Sequence, residues 1–210
     1  MNCNNSWGQV LKRVWDLVIP ECNEKGFEIL LVGSGSTFLQ GCTVQPNDID
    51  LLALTPEAVE CVAELLQGYE VEESPSQEID NWLSSKVLRV LAIDGENGSE
   101  KWRMGRWIIE GIKVEVAYLE SVSSVQRSRQ QDYIWENGPD MYPHIKEVHY
   151  QGSAINVIPL ELQLGTNIFR GLEERVMAII RVMRESGYDR ELLTKALTPD
   201  QLTSVKPLLS

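Results

Sequence analysis

Residues 31–54, LVGSGSTFLQGCTVQPNDIDLLAL, run an apolar stretch into a small-residue turn and then set Asp48-Ile49-Asp50 inside a second apolar stretch. This pattern constrains the fold more than any other feature of the chain. Side chains two apart in a strand share a face and lie roughly 6.5–7 Å apart along it. Asp48 and Asp50 therefore point the same way, and Ile49 points into a core. Burying an unpaired charge is costly, so a partner has to compensate these carboxylates.

The flanking sequence supplies the elements around the pair. The apolar residues Trp7, Val10, Leu11, Val14, Leu17 and Val18 predict a helix, which Pro20 should bend or end. Phe27–Val32 reads as a strand, Gly33–Gln40 as a turn opening a short helix, and Asp48–Leu54 as a strand. Thr55-Pro56-Glu57 starts a helix that runs to about Gln67. Tyr69–Glu72 is predicted as a short strand, Ser76–Ser84 as a helix and Val87–Ile93 as a strand. Arg106–Glu110 and Lys113–Leu119 predict two strands joined at Gly111. Residues 121–135 read as a helix, and a hairpin turns at Gln151-Gly152. The rest is helical, with a capping box at Thr198-Pro199-Asp200-Gln201. The expected architecture is α+β: a mixed α/β sheet core over residues 1–120, then a mostly helical region over 121–210 that belongs to the same domain or stands beside it.

Composition narrows the function classes. The 210 residues carry a net charge of −12, and residues 1–120 hold 20 acidic against 9 basic residues. A field of that sign repels polyanions and disfavours general nucleic-acid binding. The sequence shows no apolar run long enough for a membrane span and no signal-peptide pattern, so a cytoplasmic protein is expected. Cys3, Cys22, Cys42 and Cys61 have no CxxC or zinc-ligand spacing and are expected as reduced thiols.

The glycine turn fits none of the common phosphate motifs. No lysine follows as in a P-loop, and Phe38 stands where a dinucleotide fingerprint needs its last glycine. GSGST is not the GxSxG of a nucleophile elbow, and Leu51-Leu52 after DID rules out an EF-hand. What remains is Val32-Gly33-Ser34, then thirteen residues, then Asp48-Ile49-Asp50, with Glu115 on the later strand IKVEVAYL.

That pattern resembles the nucleotidyltransferase superfamily of the DNA polymerase β type. Its signature is an apolar residue, Gly, Gly or Ser, a short gap, and two acids flanking an apolar residue, with a third carboxylate on a later strand. The resemblance is closest over residues 27–54 and extends through residue 120. It reaches loosely into the end of the chain, where Ile158-Pro159-Leu160-Glu161 is similar to a helix start in small prokaryotic members.

The resemblance implies transfer of a nucleoside monophosphate from an NTP, with ATP the expected donor, to a hydroxyl of a small molecule or a protein. It implies Asp48, Asp50 and Glu115 as catalytic carboxylates and ligands of Mg²⁺ or Mn²⁺, two ions about 3.5–4 Å apart. Glu110 and Glu120 compete for the third place. Gly33, Ser34 and Ser36 would approach the triphosphate, and Arg106 is the expected phosphate cation, with Lys86 and Arg89 competing. The alternative is a non-catalytic module of the same fold that binds a nucleotide or a partner protein. The oligomeric state is left open.

Overall fold

The computed structural model describes residues 3–209. The first helix, α1, spans Cys3–Glu24 and buries Trp7, Val10, Leu11, Val14, Trp15, Val18 and Cys22 along one stripe. Leu17, expected on that stripe, is 40% exposed. Pro20 does not end the helix. The turn beyond it is kept because Cys22 is fully buried in the core and its carbonyl accepts from Phe27 N at 2.8 Å. Cys22, Cys42 and Cys61 are buried free thiols, while the Cys3 side chain lies outside the described residues.

Strand β1 (Ile29–Val32) leads straight into α2 (Gly33–Leu39), and β2 is Asp48–Ala53. Helix α3 is Pro56–Leu65, capped by the Thr55 side chain accepting from Ala58 N. Strands β3 (Leu91–Asp94), β4 (Glu100–Ile109) and β5 (Ile112–Ser121) follow, then α4 (Val122–Gln130), β6 (Lys146–Tyr150) and β7 (Ser153–Val157). The chain closes with α5 (Leu160–Phe169), α6 (Glu173–Ser186), α7 (Arg190–Ala196) and α8 (Pro199–Val205). The capping box at Thr198 and Gln201 is formed.

The seven strands make one mixed sheet in the order β3-β4-β5-β2-β1-β7-β6. β2 runs antiparallel to β1 and parallel to β5, and β7 pairs parallel with β1. Hairpin β6–β7, past residue 120, thus adds two strands to the sheet built by the first half. One sheet face carries Ile29, Leu31, Ile49, Leu51, Val114, Val116 and Trp107, packed against α1 and α3. The opposite face carries Leu30 and Leu52, covered by Leu162 of α5 and by Leu192 and Ala196 of α7. A third cluster packs α5 to α8 around Leu164, Ile179 and Ile180 and takes in Cys42 from the loop between α2 and β2. Among the described residues, no helix is long and apolar enough to cross a membrane.

Two predicted elements are absent. Residues 76–84 form no helix, and 69–72 form no strand beyond an isolated bridge between Val71 and Ser85. The Arg106 guanidinium donates to the carbonyls of Ile79 at 2.5 Å and Asp80 at 3.0 Å, and Ser84 N donates to Arg106 O at 2.8 Å. In a helix those carbonyls would accept from the backbone four residues on. A partner distant in sequence has taken their place. β3 is also shorter than the predicted Val87–Ile93 strand, because Ser85 to Leu88 close a turn on themselves, Ser85 N donating to Leu88 O at 3.0 Å and Leu88 N to Ser85 Oγ at 3.1 Å.

Candidate active site

The sheet face opposite α1 carries the acids. Asp50 pairs with Val32 on one side and Glu115 on the other; Glu115 in turn pairs with Arg106. One row across four strands therefore reads Arg106, Glu115, Asp50, Val32. The next row places Lys113 beside Asp48. Adjacent strands lie about 4.8 Å apart, so these neighbours are within reach of each other. Among the competing acids, Glu120 falls on the opposite face of β5 and Glu110 sits in the β4–β5 turn with Arg13 as partner. Glu115 is the later-strand carboxylate that the topology brings beside Asp50.

Gly33 follows Val32 directly and has φ +62°. A Cβ there would stand 2.8 Å from Asp50 Oδ2. The site thus requires glycine twice over, for its left-handed backbone and for the closeness of the carboxylate. The indole of Trp7 fixes the start of β2 by donating to Asp48 O at 2.8 Å.

Asp50 carries its charge at a cost. Burial pushes its carboxyl up to about 6, and the charges of Asp48 and Glu115 push it the same way. Lys113 and Arg175 oppose that shift. Asp48 accepts the Lys113 ammonium, with Nζ 3.1 Å from Oδ2. Glu115 Oε2 takes Arg106 Nε at 2.7 Å and Nη2 at 2.6 Å. No three His, Cys, Asp or Glu side chains among the described residues are gathered as a ready-made metal cage. The donor set nonetheless suits a hard divalent cation: two carboxylates share a face, a third is in the adjoining strand, and Asp50 has no cation in direct contact.

The other expected site residues divide. Ser34 is buried in the first turn of α2, directly beyond Gly33. Ser36 is fully buried, and its hydroxyl donates to Ile158 O at 3.3 Å and accepts from Gln40 Nε2 at 3.2 Å. It fastens α2 to the residue after β7, and its hydroxyl is engaged there. Arg106 is likewise engaged. It is 8% exposed, and besides Glu115 its guanidinium serves the carbonyls of Ile79 and Asp80 and the Met104 sulfur. Its donors are thus engaged by Glu115, by the carbonyls of Ile79, Asp80 and Trp82 and by the Met104 sulfur. The competitors Lys86 and Arg89 pair with Glu72 and Glu70.

Two residues escaped the sequence reading. Lys113 was legible, since it shares strand parity with Glu115. Arg175 was not, because nothing local in α6 says that its charge reaches Asp50.

No family model and no curated protein matches the chain. Solved structures do match, among them a chain from Thermotoga maritima whose assignment as a nucleotidyltransferase is itself provisional. The two are 19% identical, with a TM-score of 0.55 over 86% of this chain and 94% of that one. At that identity the likeness speaks for architecture alone. The mixed sheet, with its acids on the two parallel central strands, has a nucleotidyltransferase-like α+β fold.

Proposed function

We propose that this chain is a metal-dependent nucleotidyltransferase that moves a nucleoside monophosphate from an NTP to a hydroxyl of a small molecule or a protein. The observation that carries the reading is Asp50, a half-buried carboxyl beside two other acids and so close to Gly33 that a Cβ there would collide with it. Like charges crowded this way call for a cationic ligand. Asp48 and Asp50 would hold Mg²⁺ or Mn²⁺, with Glu115 as the third carboxylate. Bound there, the ions would neutralise charge on the triphosphate and favour in-line displacement.

The chain's own residues do the rest. Gly33 lets the backbone approach the polyphosphate, with Ser34 beside it. Arg106 orients Glu115, and Glu115 takes the proton of the acceptor hydroxyl. The acceptor oxygen then bonds to the α-phosphorus, the bond from that phosphorus to the bridging oxygen breaks, and pyrophosphate leaves. The acidic surface favours a neutral or basic acceptor over a polynucleotide.

A second reading has its own observation. Asp48 and Glu115 each already hold a basic side chain, which suits a non-catalytic module that binds a nucleotide or a partner protein. A thermal-shift titration with each NTP, with and without Mg²⁺, on wild type and Asp50→Asn separates the two. A ligand at a hundred times its Kd adds about 2.7 kcal/mol of stability. A metal-dependent NTP shift that the variant loses supports the enzyme. A metal-independent shift, or none, moves the assignment to the non-catalytic module.

A further inference from the structure

Among the described residues, three buried thiols have no part in the proposed chemistry, and two of them touch. Cys22 in the last turn of α1 and Cys61 in the middle of α3 hold their sulfurs 3.9 Å apart. Cys42 sits elsewhere, packed among Leu164, Ile179 and Met183. A cation stands at the touching pair. Lys25, exposed in the turn after α1, brings its ammonium 3.3 Å from Cys61 Sγ. The hydrogen bond to that sulfur holds the Lys25 ammonium above its ordinary pKa, and the charges of Cys61, Glu64 and Glu21 add to the effect.

The two cysteines differ in what they can do. Cys61 is 4% exposed and lies under an exposed lysine, so its sulfur stands at the solvent margin of α3. Cys22 is fully buried. Burial pushes the Cys22 thiol up to about 12, and the neighbouring Cys61 pushes it the same way. A thiol beside a cation at such a margin is placed to react, whereas a thiol sealed in apolar surroundings is inert toward solvent. Cys22 is sealed from solvent but in contact with Cys61. Disulfide sulfurs stand about 2.05 Å apart, so this pair has roughly 2 Å to close. The chain between the two holds Gly33, Asp48 and Asp50.

We propose that Cys22 and Cys61 form an oxidant-responsive pair, in which Cys61 meets a peroxide and Cys22 resolves the product to a disulfide. The Cys61 sulfur attacks one peroxide oxygen, with the Lys25 ammonium facing the charge on the attacking sulfur, and the O–O bond breaks. The leaving oxygen takes up the thiol proton and departs as water, and Cys61 becomes a sulfenic acid. The Cys22 sulfur then bonds to that of Cys61, the S–O bond breaks, and the hydroxyl leaves as a second water with the Cys22 proton. The two thiols lose two electrons and the peroxide gains them. The bond would clasp α1 to α3 and close the segment with the glycine turn and both aspartates into a loop. The inference stands apart from the nucleotidyl-transfer reading and survives its failure.

The test exposes the folded full chain to hydrogen peroxide, alkylates the remaining thiols and maps the products by mass spectrometry, in wild type and in Cys3→Ser/Cys42→Ala. Both should yield a Cys22–Cys61 cross-linked peptide that is lost again in dithiothreitol. Cys22→Ala should stop at a Cys61 sulfenic acid that dimedone captures, and Cys61→Ala should leave Cys22 unoxidised. Lys25→Met should form the disulfide several-fold more slowly than wild type. Closing a loop between positions 39 apart should raise the Tm by about 5–10 °C over the reduced chain. The inference is overturned if no cross-link forms, if it forms only after unfolding in urea, if it leaves the Tm unchanged or lower, or if Cys42 is oxidised as fast as Cys61. The wild-type experiment decides even where a cysteine variant fails to fold.

Discussion

Asp50 shows how one buried group ties stability to function. A free aspartate titrates near 3.8, and here burial and the neighbouring acids raise that to about 6. Between those values the folded chain holds a proton that the unfolded chain has released. The stabilisation from the protonated form is therefore complete below about pH 4 and lost as pH rises through about 6. A shift of roughly two units corresponds to up to about 3 kcal/mol. Asp50→Asn, which cannot ionise, should accordingly be more stable than wild type by up to that amount at about pH 8 and equal to it at about pH 4. Urea unfolding at both pH values without metal checks this, and a variant less stable than wild type at the higher pH would count against a strained carboxylate. The residue whose removal stabilises the fold is the one whose removal should abolish nucleotide binding, a trade expected of functional sites. Gly33, Asp48 and Asp50 were legible in the sequence because strand parity and one tight turn place them within a single short segment. The Arg106–Glu115 pair was legible in principle. Three residues back from Ile109 and three forward from Ile112, across the Glu110-Gly111 turn, lead to that pair. The turn also explains the tight hairpin, since both residues have positive φ, 51° and 80°.

At the scale of elements, the sequence reading succeeded where structure is local and failed where a distant side chain decides. Helices α3 and α8 announced themselves by their caps, and hairpins β4–β5 and β6–β7 by their turns. Residues 76–84 did not, because their carbonyls are claimed by an arginine some 24 to 27 positions away. Arg106 thus supports two things at once, the carboxylate of Glu115 and the irregular segment that buries Trp82 at 1% exposure. Removing it leaves a partly buried carboxylate and several carbonyls without partners. Arg106→Met keeps the stem's packing and removes the charge, so its cost isolates the polar network. Breaking one side of a buried pair typically costs about 3–5 kcal/mol. The expected result is that order of destabilisation in urea, with new protease cleavage confined to residues 76–84. A variant as stable as wild type and uncut in that segment would show that the network is dispensable.

For the whole molecule, a division at residue 120 is chemically plausible from the sequence but conflicts with how the sheet is assembled. Charge favours the division, since the acidic excess is concentrated before that point. Packing opposes it. β1 lies between β2 and β7, with Leu31 paired to Val157, and Leu30 and Leu52 are covered by Leu162, Leu192 and Ala196 from α5 and α7. Cutting at 120 would open an edge on β1, one of the most buried strands, and uncover the sheet face beside the acids. Each large apolar side chain exposed in this way gives up about 1.5–3 kcal/mol. Several such losses reach the whole stability of a domain of ordinary size, about 5–15 kcal/mol. A fragment of residues 1–120 should therefore fail to fold, seen as a collapsed amide dispersion in its NMR spectrum, while the full chain unfolds in one transition. The acids stand on the strand paired with β1, so the site and the fold depend on the same two halves being together. A fragment that folded and still bound Mg²⁺–ATP would place the nucleotide entirely on the first half of the chain.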